Sequence, residues 1–181
     1  IDHCLVGSEM CIRDRDSAYP MNESAPSEPV SVTTPALRIN AGGSKYIDSS
    51  GNVWLADTGY TGGNTSQSSY AIAGTTDDLL YRAHRWGSDA IQYSFAVENA
   101  SYLVKLHLTE VATSFSTGSR VFDVAMEGAQ VLNDVDIYSQ SGTLTALVLS
   151  VPVNVLDGEI NIDFIPQVGY SIVSGIEIIK Q

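Results

Sequence analysis

Beyond Pro35 the chain settles into a repeated alternation of apolar and polar residues. In "SYLVKLHLTEV" Tyr102, Val104, Leu106 and Leu108 share one face, while Lys105, His107 and Thr109 take the other. "RVFDVAME" sets Phe122, Val124 and Met126 against Asp123, Ala125 and Glu127, and "GEINIDFI" sets Ile160, Ile162 and Phe164 against Glu159, Asn161 and Asp163. A period of two puts successive side chains on opposite sides of extended backbone, so each run predicts a half-buried strand. "TALVLSV" and "IVSGIEIIK" add two runs rich in branched residues, and turn-forming Gly, Asn, Asp or Ser bound the runs. No stretch keeps a 3.6-residue period over three turns with caps. Many short strands, few helices and frequent turn signals predict an all-β sandwich.

One segment breaks the alternation. Residues 56–78, "ADTGYTGGNTSQSSYAIAGTTDD", are polar and rich in Gly, Ser and Thr. A loop of that length inside a compact domain is uncommon and is often functional. Two further junctions follow it: "RW", Arg85–Trp86, closes a predicted strand before Gly87, and Phe115 sits where "EVATSFSTG" passes from strand to loop.

The residues before Ala36 do not share this patterning. Residues 16–35 hold four prolines among Ser, Thr and Glu, a composition that buries little and favours extended, solvated backbone. They are expected to be a linker, which makes residues 36–181 one module of a longer chain. Residues 1–15 contain "CLVGSEMCIRDR", which resembles a translated sequencing-adapter read-through; the alternative is a natural disordered tail. Either way Cys4 and Cys11 carry no inference about the fold. No cysteine lies beyond them, which excludes a disulfide framework and a cysteine-ligated zinc site in the domain.

Composition narrows the function classes. The chain is 44% hydrophobic and 17% charged, and no apolar run approaches the roughly 20 residues of a membrane span. A formal net charge of −12 with nine scattered basic residues excludes nucleic-acid binding, which needs clustered Lys and Arg. His3, His84 and His107 form no pair at metal-ligand spacing. No cofactor is expected; a structural calcium at Asp77–Asp78 or Asp134–Asp136 would lack the usual carboxylate ladder. There is no Gly-x-Ser-x-Gly elbow and no nucleophilic cysteine in the domain. Glu110 with Asp57 or Asp123 would form a glycosidase-like carboxylate pair, but 21 acidic residues supply such pairs by chance. The chain is therefore read as non-catalytic. Asn22, Asn64 and Asn99 fit the glycosylation pattern, which counts only in a eukaryotic secretory host.

"WLADTGYTGG", residues 54–63, places Trp54, Asp57 and Tyr60 among glycines. Trp54 is expected to point inward as an anchor and Tyr60 outward. Sugars present apolar C–H faces that aromatic rings cover and hydroxyl rims that carboxylates, amides and guanidinium groups bind. The candidate sugar-stacking rings are Tyr60, Tyr70, Trp86 and Phe115, and the polar candidates are Asp57, Arg85 and Glu110. The rings are expected to share one concavity at the edge of the sandwich. Core packing or turn anchoring is the competing role for each ring, and Glu110 and Asp123 also suit a scaffold of loop hydrogen bonds.

With these residues in view, the chain from about Leu37 to Lys180 resembles the malectin family. The matching pieces run in order: "LRINAGG", "WLAD", "YTGGN", "GTTDDLLYRAHRW", "YLVKLHLTEV", "RVFDVAMEG", "DVDIY" and "SGIEII". The resemblance implies a jelly-roll, galactose-binding-domain-like sandwich and a secreted, periplasmic or cell-surface carbohydrate-binding role without membrane insertion. It also implies a gluco-oligosaccharide-like ligand, with the family's loop tyrosine at Tyr60 or Tyr70 and its second tyrosine replaced by Trp86. The chain departs from that pattern elsewhere. A Tyr-Phe pair gives way to Ala112–Thr113, for which Phe115 would compensate, and Gly169–Tyr170 stands where the family carries an Asp. These departures favour the rival reading, a structural or protein-interaction module with a degenerate sugar site.

Overall fold

A computed structural model describes residues 36–181. The expected tail at 1–15 and linker at 16–35 lie outside the described residues. In chain order the strands are β1 (Leu37–Asn40), β2 (Tyr46–Ile47), β3 (Val53–Ala56), β4 (Tyr60–Thr61), β5 (Asn64–Gln67), β6 (Ala83–Gly87) and β7 (Ile91–Ala96). They continue as β8 (Ser101–Leu108), β9 (Val121–Met126), β10 (Ala129–Val135), β11 (Leu147–Asn154), β12 (Glu159–Val168), β13 (Ser171–Val173) and β14 (Gly175–Lys180). Two five-residue helices, α1 (Asp78–Arg82) and α2 (Ile137–Ser141), lie before β6 and β11.

Six strands form one sheet in the order β11-β8-β14-β1-β3-β2, and five form a second in the order β10-β9-β12-β7-β4. The alternating residues meet between them. Val104, Leu106 and Leu108 of β8, with Ile176 and Ile178 of β14, face Phe122, Val124 and Met126 of β9 and Ile160, Ile162 and Phe164 of β12 in one buried core. Their polar neighbours along each strand point away, as the pleat requires. The chain is an all-β sandwich, as its periodicity predicts.

A third sheet, β13-β6-β5, positions the candidate residues. Its register sets Asn64, Trp86 and Ile172 side by side, with Ser66 beside His84. The intervening row holds Thr65, Arg85 and Val173. Residues paired across strands share a face, so these rows lie on opposite sides of the sheet.

Two features differ from the sequence reading. The 56–78 stretch is not all loop, since it includes β4 and β5. The predicted strand ending at "RW" begins only at Ala83, because Asp78–Arg82 forms a helical turn closed by an i,i+4 ion pair at 3.0 Å. That turn drops Leu80 and Tyr81 onto Trp54 and Ile72 in a second buried cluster. Trp54 points inward as expected; its Nε1 donates to Asp48 Oδ2 at 3.0 Å and its ring meets His107 edge-on at 5.0 Å. His107 is half-buried, and burial pushes its pKa down to about 4.

Candidate functional site

The glycine-rich stretch "WLADTGYTGG" is organised around Arg85. Its Nε and Nη2 donate to Asp57 Oδ2 at 2.9 and 2.7 Å, and its Nη1 donates to the carbonyls of Gly62 and Gly63 at 2.9 and 3.2 Å. Tyr93 donates its hydroxyl to Asp57 Oδ1 at 2.9 Å, so both carboxylate oxygens are engaged. Gly62 and Gly63 have φ of +80° and +69°, a left-handed turn that favours glycine and brings both carbonyls onto one guanidinium. Burial opposes the charge of Arg85, but the hydrogen bonds and charge of Asp57 outweigh it and hold the guanidinium above its ordinary pKa. Tyr60 lies over this clamp with its ring centroid 3.3 Å from Arg85 Cζ and stays 45% exposed. The glycines thus build a buried cation mount for an exposed ring.

A second clamp of the same design stands on the other side of the β13-β6-β5 sheet. Arg120 Nε donates to Glu110 Oε2 at 2.7 Å, and its Nη1 donates to the Tyr170 carbonyl at 3.1 Å. Glu110 Oε1 accepts from the Ala112 amide at 2.9 Å. The Phe115 ring rests 5.2 Å from Arg120 Cζ. Beside it, Trp86 and Tyr170 meet edge to face with centroids 5.1 Å apart and planes at 87°.

Each clamp borders its own concavity. One, of about 260 Å³, is lined by Trp86, Phe115, Tyr170, Ser66, His84 and Arg120 among others. The other, of about 400 Å³, is lined by Tyr60, Asp57, Arg85, Thr65, Lys45 and Asn40 among others. Strand alternation causes the division. Arg85 and Trp86 are neighbours on β6, so their side chains leave the sheet in opposite directions.

The expectation of one shared rim is therefore corrected. Trp86 and Phe115 come together; Tyr60, Asp57 and Arg85 come together elsewhere; Tyr70 lines neither concavity. The Tyr70 ring is 48% exposed, while its backbone carbonyl accepts from Arg82 Nε at 2.7 Å. Arg85 and Glu110 are 4% and 1% exposed and are spent on their clamps, so they act behind the surface. Asp57 is likewise held, as its side-chain oxygens are occupied.

Tyr170 is the ring that sequence reasoning missed, because its position drew notice only for a carboxylate that is not there. The signal was Gly169–Tyr170 at the turn between β12 and β13, a bulky ring beside a flexible hinge. His84 also lines the Trp86 cavity: it is buried, its Nδ1 has no hydrogen-bond partner among the described residues, and burial lowers its pKa, which keeps the imidazole neutral near pH 7.

Two of the aspartates weighed for a structural calcium, Asp77 and Asp136, are engaged in hydrogen bonds within the fold. Asp77 accepts from the Tyr46 hydroxyl and the Ser49 amide, both at 2.7 Å. Asp136 caps α2 through the Ser139 amide at 2.9 Å and accepts from the Gly118 amide at 2.7 Å. Among the described residues no three His, Cys, Asp or Glu side chains converge on a point a metal would occupy. No helix among them is long and apolar enough to cross a membrane.

A family model described as "Malectin domain" matches residues 35–178. Malectin-B of Xenopus laevis is 27% identical over 131 residues, which cover 68% of this chain and 47% of that protein. The chain spans about half the length of the curated malectins it matches. Among solved structures, Bacteroides uniformis β-glucuronidase superposes with a TM-score of 0.73 at 21% identity, over 81% of this chain and 18% of that one. The ANXUR1 extracellular domain from Arabidopsis thaliana superposes with a TM-score of 0.72 at 20% identity, over 80% and 47%. At such identities the two structures share a fold with this chain and nothing further follows from them.

Proposed function

Because this chain belongs to the malectin domain family, a family of carbohydrate-binding modules, we propose that it binds a neutral glycan in the concavity framed by Trp86, Phe115 and Tyr170 and catalyses no reaction on it. The observation that carries the reading is the makeup of this wall: three rings around one opening, with Arg120, its one cation among the described residues, neutralised by Glu110. Such a surface offers apolar faces to sugar C–H groups and no unpaired charge that a neutral ligand would have to desolvate. Ser66, whose hydroxyl has no hydrogen bond within the described residues, and the neutral imidazole of His84 supply polar contacts for hydroxyls.

The Arg120–Glu110 pair contributes by position. It fixes the floor under Phe115 and, through the Tyr170 carbonyl, the turn that carries the second ring. Rings held in place before binding lose little conformational freedom when a ligand arrives. A place as a module tethered within a longer chain accords with relatives that extend well beyond the matched region, and an extracellular or cell-surface setting accords with the receptor-like proteins of Arabidopsis thaliana among them.

Titration with gluco-oligosaccharides tests the reading, with Trp86→Ala as the control. Binding that weakens in the variant while its melting temperature holds supports it. The rival reading, a protein-interaction module with a degenerate site, rests on Ala112–Thr113 and predicts no binding to any sugar on a broad glycan array.

A further inference from the structure

The concavity over Tyr60 is the larger of the two and takes no part in the function proposed above. Its wall divides into spent and unspent groups. Asp57 and Arg85 satisfy each other, and the Tyr46 hydroxyl donates to Asp77. Left over are the hydroxyls of Ser44, Tyr60 and Thr65, the amide of Gln67 and the ammonium of Lys45, which make no side-chain hydrogen bond or ion pair among the described residues. Asn40 is 4% exposed; its Nδ2 donates to the Ser44 carbonyl at 2.7 Å, yet its Oδ1 accepts nothing among the described residues. A buried amide oxygen without a partner is uncommon in a settled interior.

The loop carrying Ser44 and Lys45 is held firmly. Gly42 has φ of +73°, and a Cβ there would stand 2.3 Å from the His84 carbonyl oxygen. The backbone thus lies directly on β6, with Ser44 and Lys45 just beyond this anchor. The charge left on the wall is a single cation in a chain of net charge −12. Long-range repulsion of an anion fades beyond about 8 Å at physiological salt, whereas contact with an ammonium persists.

We infer that this concavity is a second ligand site, for a sugar bearing a carboxylate, a uronic-acid residue, with Lys45 as counter-ion and the exposed Tyr60 ring under the sugar face. Unpaired hydroxyl and amide groups match the sugar's hydroxyls, and about 400 Å³ is room for a ligand of one or two sugar units. Because the β13-β6-β5 sheet separates the two walls, occupancy here is independent of the Trp86 side.

The test is calorimetric titration of the whole chain with a disaccharide ending in glucuronate and with its glucose counterpart. Lys45→Met keeps the apolar stem of an exposed side chain and removes the charge. It is expected to weaken glucuronosyl binding by about 5- to 30-fold, the loss of one charged contact. Added salt should weaken wild-type binding in the same direction, and Trp86→Ala should leave it unchanged. Absence of glucuronosyl binding by wild type would overturn the inference, as would binding of the glucose counterpart equal to that of the glucuronate in the Trp86→Ala variant, indifference to Lys45→Met, or loss of glucuronosyl binding in Trp86→Ala. Failure of neutral glycans to bind would instead count against the function proposed for the Trp86 cavity and leave this result readable.

Discussion

Arg85 and Arg120 stand on opposite sides of one three-stranded sheet and are mounted alike. Each guanidinium is nearly buried, locked to a carboxylate, capped by a carbonyl, and overlaid by an aromatic ring. Their rims differ. Among the described residues, Trp86, Phe115 and Tyr170 stand around Arg120 with no free charge, while Tyr60, several unpaired hydroxyl and amide groups, and Lys45 stand around Arg85. The buried ion pairs thus serve as rigid mounts, while the rim residues set what can bind. A buried charged residue in this fold is poor evidence of ligand contact.

The comparison breaks most sharply at the mounts. Arg85→Met and Arg120→Met each leave a buried carboxylate without its cation, expected to cost about 3–5 kcal/mol in urea unfolding. Similar losses would support equivalent mounts; a loss below about 1 kcal/mol on one side would deny that side a clamp.

Acid reports on the buried histidines. His107 has a folded pKa of about 4 against an ordinary 6.5. Between those values the unfolded chain takes up a proton that the native state refuses. Stability from this group is therefore complete above pH 6.5 and is lost as pH falls through about 4, by about 3 kcal/mol. His84 shifts in the same direction, also through burial. Denaturant midpoints measured across that window check the sign, and His107→Phe should flatten the acid limb.

Trp86→Ala should weaken neutral glycan binding by about 1–3 kcal/mol, roughly 5- to 150-fold, while Tyr60→Leu leaves it alone. The smallest effect belongs to Tyr70→Ala. An exposed ring outside both cavities should change stability by less than about 0.5 kcal/mol and glycan affinity not at all. A clear loss of binding there would redraw the site.

The strands were legible because each alternation is local; Val104, Leu106 and Leu108 declare their shared face within five residues. The clamps were not, since Asp57 and Arg85 lie 28 residues apart, one just after β3 and the other on β6, and meet only in the folded chain. Glu110 and Arg120 are ten apart, but a loop rather than a periodic element joins them. The split between the two rims was written in the chain all the same. Consecutive residues on a strand face opposite ways, so Arg85 and Trp86 were never able to share a ligand. Tyr170 escaped notice because its neighbours form a turn, where no period indicates which way a ring points.

The most direct test of two separate faces is an NMR titration of the labelled protein with a gluco-oligosaccharide. The indole N–H of Trp86 and the amides of Phe115 and Tyr170 should shift, while the Gly62, Gly63 and Lys45 amides and the Trp54 indole, tied to Asp48, stay in place. Shifts confined to the Tyr60 side, or shared by both sides at one affinity, would contradict the account.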